Sequence, residues 1–350
     1  MKGIATVFAL LFWTCGVFAV SVLPLFSTPE NPLYLRYVPE ILSEAKEEIL
    51  VALSDLRTYA DGATDALLFP LFRAAQNGLS VYVLMDKTSQ PLSPAQEEAL
   101  ERLRAAGARV RTDPPDITLH AKFLVIDCRI VVVGSTHWTK TALTRSVQVD
   151  VVLEAPEIAK AFRAFFFYLW EGKLKTKTKL PTPPWPKPAL VPLLDFPESK
   201  GHFHAAFELL SQAQKEILLL LYNLVYYPQY PDSPSTRLLG ALAEAAQRGV
   251  RVKVLLEGDE ESPAGSNRLS AAWLATYGVE VRFDPVGITM HAKCLIVDGR
   301  HVLISSANWT YSGLVKNLEA GIIFLGVPQV AQLLMAQFME LWEASSSPFR

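Results

Sequence analysis

Apolar residues recur along this chain in two rhythms, and the rhythms alternate. Glu48–Leu53 is a short, almost wholly apolar run of the kind a buried strand shows. Residues 66–76 repeat their apolar positions at helical spacing and stop at Asn77-Gly78, a helix-end signal. Residues 79–84 alternate around Val81 and Val83 as a strand does. Residues 93–106 predict a helix that begins at the capping Ser93 and stops at Gly107. A helix over 34–45, strands over 108–111 and 147–153, and an apolar helix over 156–170 complete the set. Strands and helices in alternation predict an α/β fold, a sheet covered on both faces.

The same order then returns. Lys215-Glu216-Ile217-Leu218 repeats Glu47-Glu48-Ile49-Leu50 at an offset of 168 residues. Ala245-Ala246-Gln247-Arg248-Gly249 repeats Ala74-Ala75-Gln76-Asn77-Gly78 at 171, so the loop over 226–235 carries three extra residues. Gly278, Asp284 and Pro285 echo Gly107, Asp113 and Pro114, and the helix over 328–342 echoes that over 156–170. The chain reads as a tandem duplication, with one domain over 30–172 and a second over 200–345. Between them, 173–199 holds alternating lysines and seven prolines. That composition favours an extended, semi-rigid linker.

Residues 1–26 stand apart, with Lys2 as their only charge and an apolar run from Ile4 to Phe26. Besides a helix of the core, two readings are open. Small residues near Ala19 and Ser21 suit cleavage of a signal peptide over 1–20, giving a secreted or periplasmic protein. Alternatively, residues 4–26 are long enough to anchor the chain in a membrane.

Composition narrows the function. The chain has 350 residues, half of them apolar, and a formal net charge of -2. Two full cores are possible, and a strongly basic nucleic-acid coat is excluded, though a local basic cleft is not. The three cysteines, at 15, 128 and 294, have no metal-type spacing, and Cys128 and Cys294 read as buried core thiols. His202 and His204 form an isolated pair that reads as surface.

The densest repeat is a polar pattern in an apolar setting. His120-Ala-Lys122, four residues, Asp127, and then Gly134-Ser135-Thr136-His137-Trp138 recurs as His291-Ala-Lys293, four residues, Asp298, and Ser305-Ser306-Ala307-Asn308-Trp309. Every matched pair differs by 171. Side chains at i and i+2 of a strand share a face, so each histidine lies beside its lysine. Asp298-Gly299 predicts a tight turn, which returns Ser306 and Asn308 toward His291. An imidazole, an ammonium, a hydroxyl and an amide suit a tetrahedral anion. Lysine neutralises phosphate, hydroxyl and amide donate to its oxygens, and histidine attacks phosphorus or protonates a leaving alcohol.

These residues resemble the phospholipase D superfamily over nearly the whole of 30–345. The resemblance implies two α/β/α sandwiches related by a pseudo-twofold axis, with one active site between the halves of a monomer. It implies a phosphodiesterase that needs no metal or other cofactor and passes through a phosphohistidine. The implied catalytic set is His120, Lys122, Asp127, His291, Lys293 and Asp298, with Ser135, His137, Ser306 and Asn308 binding phosphate. The family's downstream acid falls at Glu319 in the second half and at Gln148 in the first, each twenty-eight residues after its own histidine. If each serves the histidine of its own half, Glu319 raises the pKa of His291, the general acid, and leaves His120, beside Gln148, as nucleophile.

His137 stands where the family has Asn, and Ser305 where it has Gly. Cardiolipin synthases of the superfamily usually follow the Asn with an acidic residue and an Arg-Ser pair, whereas this chain has Asn308-Trp309-Thr310-Tyr311-Ser312. This looks closer to the superfamily's phospholipase D-like hydrolases and small secreted endonucleases, and export with a slightly acidic chain favours a phospholipid, hydrolysed at a membrane surface. A secreted endonuclease acting on nucleic acid and a degenerate phosphate-binding module are the alternatives.

Overall fold

The computed structural model describes residues 12–15, 18–87, 91–114, 116–173, 189–258 and 266–347. Strands of the first half are β1 (Phe12–Cys15), β2 (Phe18–Ser27), β3 (Glu48–Leu53), β4 (Ser80–Met85), β5 (Arg109–Thr112), β6 (Phe123–Ile126), β7 (Ile130–Gly134) and β8 (Ser146–Glu154). Those of the second are β9 (Ala189–Asp195), β10 (Glu216–Leu221), β11 (Arg251–Leu256), β12 (Glu280–Phe283), β13 (Thr289–Met290), β14 (Lys293–Val297), β15 (His301–Ser305) and β16 (Glu319–Leu325). The first sheet runs β1-β2-β8-β7-β6-β3-β4-β5 and the second β9-β16-β15-β14-β10-β11-β12, the same order from β2 and β9 onward. In each, three parallel strands adjoin an antiparallel set.

The strand alternation decides the layering. Phe123 and Val125 of β6, Val147, Val149 and Val151 of β8, Cys294 and Ile296 of β14, and Ala320, Ile322 and Phe324 of β16 all join one central core. The helices Pro156–Trp170 and Pro328–Ala344 contribute to that core, which is shared by the two halves. The opposite faces of the sheets pack on separate helix layers: Leu33–Ser43, Asp65–Gln76 and Pro94–Ala105 in the first half, and Gly201–Gln212, Pro234–Gln247 and Asn267–Ala275 in the second. The third of these helices begins as read, with Ser93 and Gln96 forming a capping box.

The domain boundaries shift from those read in the sequence. The first sheet includes β2, so its domain starts before residue 30. Ser21 to Ser27 pair with Glu154 to Gln148 of β8. Val22, Leu23, Leu25 and Phe26 are buried in the fold. Each such side chain is worth about 2 kcal/mol when buried, and in this fold the segment is a strand of the first sheet. Among the described residues no helix is long and apolar enough to cross a membrane. Residues 1–11 lie outside the described residues. Residues inside the expected signal peptide also join the sheet: Phe12 to Cys15 of β1 pair with Ser21 to Phe18 of β2, and Val20 is buried in the core.

β9 is the second-half counterpart of β2, and it lies inside the stretch read as linker. Leu23-Pro24-Leu25 and Val191-Pro192-Leu193 match at an offset of 168, and both prolines sit in strands. The proline-rich composition hid a strand whose repeat partner was masked in turn by its resemblance to a leader. The rest of the expected linker, 174–188, lies outside the described residues.

Two smaller readings also change. Cys294 is buried, but Cys128 is only half-buried and occupies a tight turn with Asp127, both at positive φ. His202 is buried rather than on the surface: Asp195 accepts from its backbone N–H at 2.8 Å and contacts its Nδ1 at 2.9 Å.

Candidate active site

Each histidine sits where the chain passes from one half's sheet to the other's. The expected continuous strand from His291 is broken: β13 pairs with β8 of the first half, and β14 enters its own sheet at Lys293. The N–H of His291 donates to Val147 O at 3.0 Å. In the first half, the N–H of His120 donates to Leu318 O at 2.9 Å. Val147 and Leu318 immediately precede Gln148 and Glu319.

This stitching overturns the expected pairing. His120 Nδ1 lies 2.9 and 3.0 Å from the two carboxylate oxygens of Glu319. His291 Nδ1 lies 3.2 Å from Gln148 Oε1. Each histidine is thus held by the other half's downstream residue. The expectation that Glu319 raises His291 fails, because Glu319 faces His120.

Ser135 and Ser306 are fully buried behind these partners. Ser135 Oγ donates to Gln148 Oε1 at 2.7 Å, and Ser306 Oγ donates to Glu319 Oε2. Both also accept a backbone N–H, from Val149 and Ala320. Their hydroxyl protons are committed to orienting the residues that orient the histidines, not to phosphate. Asp127 and Asp298 are likewise not in the site. Asp127 accepts from the N–H groups of Lys46, Glu47 and Glu48, and Asp298 from those of Gln214, Lys215 and Glu216. Each builds the β-hairpin turn after its motif and ties it to the start of β3 or β10.

Lys122 and Lys293 are buried and donate to the carbonyls of His120 and His291, at 2.5 and 2.6 Å. Lys293 Nζ is also 3.3 Å from both ring nitrogens of His291 and 5.0 Å above the Tyr222 ring. His137 lies between the two catalytic imidazoles, its ring centroid 6.1 Å from that of His120 and 4.9 Å from that of His291. Ser54 holds His137 Nδ1 at 2.9 Å. Asn308, its counterpart, has a buried Oδ1 that finds no partner among the described residues, so its amide keeps capacity for a ligand.

Ser54 and Tyr222 are repeat counterparts that sequence reasoning missed. The 168 offset aligns them, but a lone serine and tyrosine at strand ends carry no motif.

The electrostatics follow from burying cations together. Burial lowers His120, with help from Lys122 and Lys293, and Glu319 only partly offsets this. Burial, Lys293 and Lys122 take His291 well below the ordinary histidine value. Burial and Lys122 do the same for His137. Lys122 is pushed down to about 7 by burial, with Glu319, Asp86 and Asp150 opposing, and Lys293 falls well below the ordinary lysine value through burial and Lys122. Burial opposes ionisation of Glu319, yet His120, Lys122 and the Ser306 hydroxyl bring it down to about 2. A neutral His120 removes part of what depresses Glu319. The ionised Glu319 stands, because Lys122 and Ser306 favour it whatever the state of His120. Buried together, the two lysines and three imidazoles disfavour one another's charge.

A family model described as "Cardiolipin synthase, PLD-like domain" matches residues 38–170 and again residues 207–342. The chain belongs to the phospholipase D superfamily. It is a phospholipase D-like enzyme of phosphoric diesters. Cardiolipin synthase B of Shigella flexneri is 27% identical over 320 residues, covering 82% of this chain and 74% of the relative. Cardiolipin synthase B of Escherichia coli K12 is 26% identical over the same shares. The crystal structure of phosphatidylserine synthase from Haemophilus influenzae superposes with a TM-score of 0.74 at 16% identity, covering 99% of this chain and 91% of that one. The residues after Asn308 had pointed away from cardiolipin synthases, yet such synthases match across most of the chain.

Proposed function

We propose that this protein is a phospholipid phosphodiesterase that works through a phosphohistidine on His120. The observation that carries the reading is the crossed pairing: one site, two histidines, and a carboxylate on only one of them. A carboxylate at Nδ1–H fixes the tautomer with the Nε2 lone pair free, and it stabilises the positive ring formed when Nε2 bonds phosphorus. His291, held by a neutral amide, is the stronger acid once protonated. Sequence reasoning assigned His120 the same role on the opposite premise, a neutral partner.

The phosphodiester anion enters between Lys122 and Lys293, and protons taken from solvent restore their charge and protonate His291, with His137 and Asn308 as further contacts. His120 Nε2 attacks phosphorus, the bond to the leaving alcohol breaks, and His291 gives that alcohol its proton. Water then attacks the phosphohistidine, its proton passes to His291, and the P–N bond breaks. An alcohol in place of water gives transfer by the same two steps.

A lipid is favoured over nucleic acid by the relatives named for phospholipid synthesis. It is also favoured by a groove of about 850 Å³ lined by Tyr227, Tyr230, Pro231, Pro234 and Tyr311, on the extra residues of the second half. Tyr230 and Tyr311 are exposed there and give the loop a means of meeting a membrane surface. The protein acts as a monomer, and an exported form beginning near Ser21 keeps the β8-paired residues Ser21–Ser27 but loses β1 and the start of β2.

The test is a metal-free assay on phosphatidylcholine and phosphatidylglycerol vesicles, beside single-stranded DNA, followed by acid-free quenching and peptide mapping of the phosphorylated histidine. Lipid turnover with the adduct on His120 is expected. Adduct mainly on His291, or turnover of DNA alone, overturns the reading.

A further inference from the structure

Of the buried carboxyl groups outside the pattern that defines the site, four form two pairs in register. Asp86 and Asp113 stand just past the ends of β4 and β5, and Glu257 and Asp284 just past β11 and β12. Both members differ from their counterparts by 171 residues. All four are at most 5% exposed.

Each pair converges on one backbone donor. The N–H of Leu119 lies 2.8 Å from Asp86 Oδ1 and 3.0 Å from Asp113 Oδ2. The N–H of Met290 lies 2.8 Å from Glu257 Oε2 and 2.7 Å from Asp284 Oδ2. Leu119 and Met290 are the residues immediately before the two catalytic histidines. The second acid of each pair takes one more donor, the N–H of Lys87 for Asp113 and of Gly258 for Asp284. Two carboxylates sharing one N–H in a buried place cannot both be ionised, so each pair must hold a proton between them.

The next residue is held from the opposite direction. His120 N–H goes to Leu318 and His291 N–H to Val147, both in the other half. The main chain at each histidine is therefore fixed by its own half's acids on one edge and by the partner half's strand on the other.

We propose that Asp86 with Asp113, and Glu257 with Asp284, are positioning residues: each pair shares one proton and clamps the main chain that presents its catalytic histidine. They touch no reacting atom. Loss of the shared proton sets two like charges against each other at the clamp and lets the histidine drift, which near-attack geometry does not tolerate. Burial first, and then the neighbouring acid, pushes Asp113 up to about 7 and Asp284 up to about 8. Both clamps are thus closed below neutrality and open as pH rises through that range. Among the charged groups around them, Lys122 faces Asp86, and Arg268 lies over the adjoining Phe283 ring at 5.2 Å.

The inference rests on the phosphodiesterase reading for its kinetic consequence but not for its proton. Two measurements on the full chain separate them. The first is kcat against pH with saturating phosphatidylglycerol vesicles, where bound phosphodiester keeps the lysines charged. Wild type should lose kcat on the alkaline side. Asp113→Asn and Asp284→Asn, which imitate the protonated acid, should keep turnover at pH 6; Asp113→Asn should move the fall upward by about one pH unit, to where the Asp284 clamp opens, and Asp284→Asn should leave its start near 7 but make it shallower, while the corresponding Ala variants lose about tenfold at every pH. The second is infrared titration of the protonated carboxyl band, which needs no turnover. Beside the buried Asp150, which titrates at about 6, two further protonated carboxyls should titrate near neutrality, one disappearing with each Asn variant. Absence of their bands at pH 6, or an alkaline fall that neither Asn variant alters, overturns the proposal. A band behaving as expected in a protein that turns over no phospholipid would leave the shared proton standing and sink the phosphodiesterase reading instead.

Discussion

The two halves share one strand order yet distribute their buried polar groups differently. In the first, Asp150 on β8 accepts the N–H of Thr136 at 3.1 Å and its hydroxyl proton. In the second, the counterpart of Asp150 is Gly321 and that of Thr136 is Ala307. The carboxylate has moved to Asp195 on β9, where it caps the helix that starts at Gly201 and contacts His202. The first half fills the Asp195 and His202 positions with Ser27 and Tyr34, whose contact is a hydroxyl capping the Tyr34 N–H at 3.0 Å. A Cβ on Gly134 would strike Asp150, while Ser305 at that position faces Gly321. Each substitution makes sense only with its neighbours, because a buried carboxylate must have donors wherever it sits. Duplication kept the apolar faces and let the charges relocate, and it left Glu319 and Gln148 as the asymmetry that meets the Nδ1 atoms of the histidines.

The strongest way to break this comparison is to exchange those two residues. Glu319→Gln should lower kcat by about 100-fold, since it removes the charge that stabilises the phosphorylated His120. Gln148→Glu should cost less than about tenfold, because it adds a carboxylate to the half that donates protons. Single-turnover kinetics on a phospholipid with a good leaving group check this. Equal losses would mean that the halves are functionally equivalent.

A smaller effect separates the lysines. Glu319, Asp86, Asp150 and Asp55 all favour the charged Lys122, which titrates at about 7, whereas Lys293 has fewer acids and lies well below its ordinary value. Lys122 is charged below that pH and loses its proton above it. The KM for vesicle phospholipid should therefore rise as pH climbs past about 7. In Lys122→Met the KM should be higher at pH 6 and nearly flat with pH. A wild-type KM unchanged from pH 6 to 9 would show that Lys122 does not meet the phosphate.

The smallest concerns the turns. Asp298-Gly299 and Asp127-Cys128 both take positive φ at two successive residues, 53° and 62° in one and 51° and 47° in the other. Cysteine carries a steric cost there that glycine does not. Cys128→Gly should raise stability by about 1 kcal/mol, read as a higher denaturant midpoint, and should leave turnover unchanged. A lower midpoint would show that the half-buried thiol gains more from packing than it loses to backbone strain.

Sequence alone determined the α/β class, the duplication, and the identity of both histidines and both lysines. Period-two and helical patterns report which face is buried, and burial is a local demand repeated in each half. Sequence also held, unread, the match of Leu23-Pro24-Leu25 to Val191-Pro192-Leu193, obscured because an apolar N-terminus resembles a leader and prolines resemble a linker. Asp113 and Asp284 were visible as an echo, but nothing local tied them to Leu119 and Met290. Only the tertiary structure decided the partners. Glu319 belongs to His120 because strand pairing across the interface sets Leu318 against His120 and Val147 against His291. Ser135 and Ser306 orient those partners, and Asp127 and Asp298 build turns, because each polar group takes the nearest donors the fold offers. Spacing along a chain fixes which side chains share a strand face. Which half a side chain will meet depends on how two sheets dock, and that is settled by the shared apolar core between them.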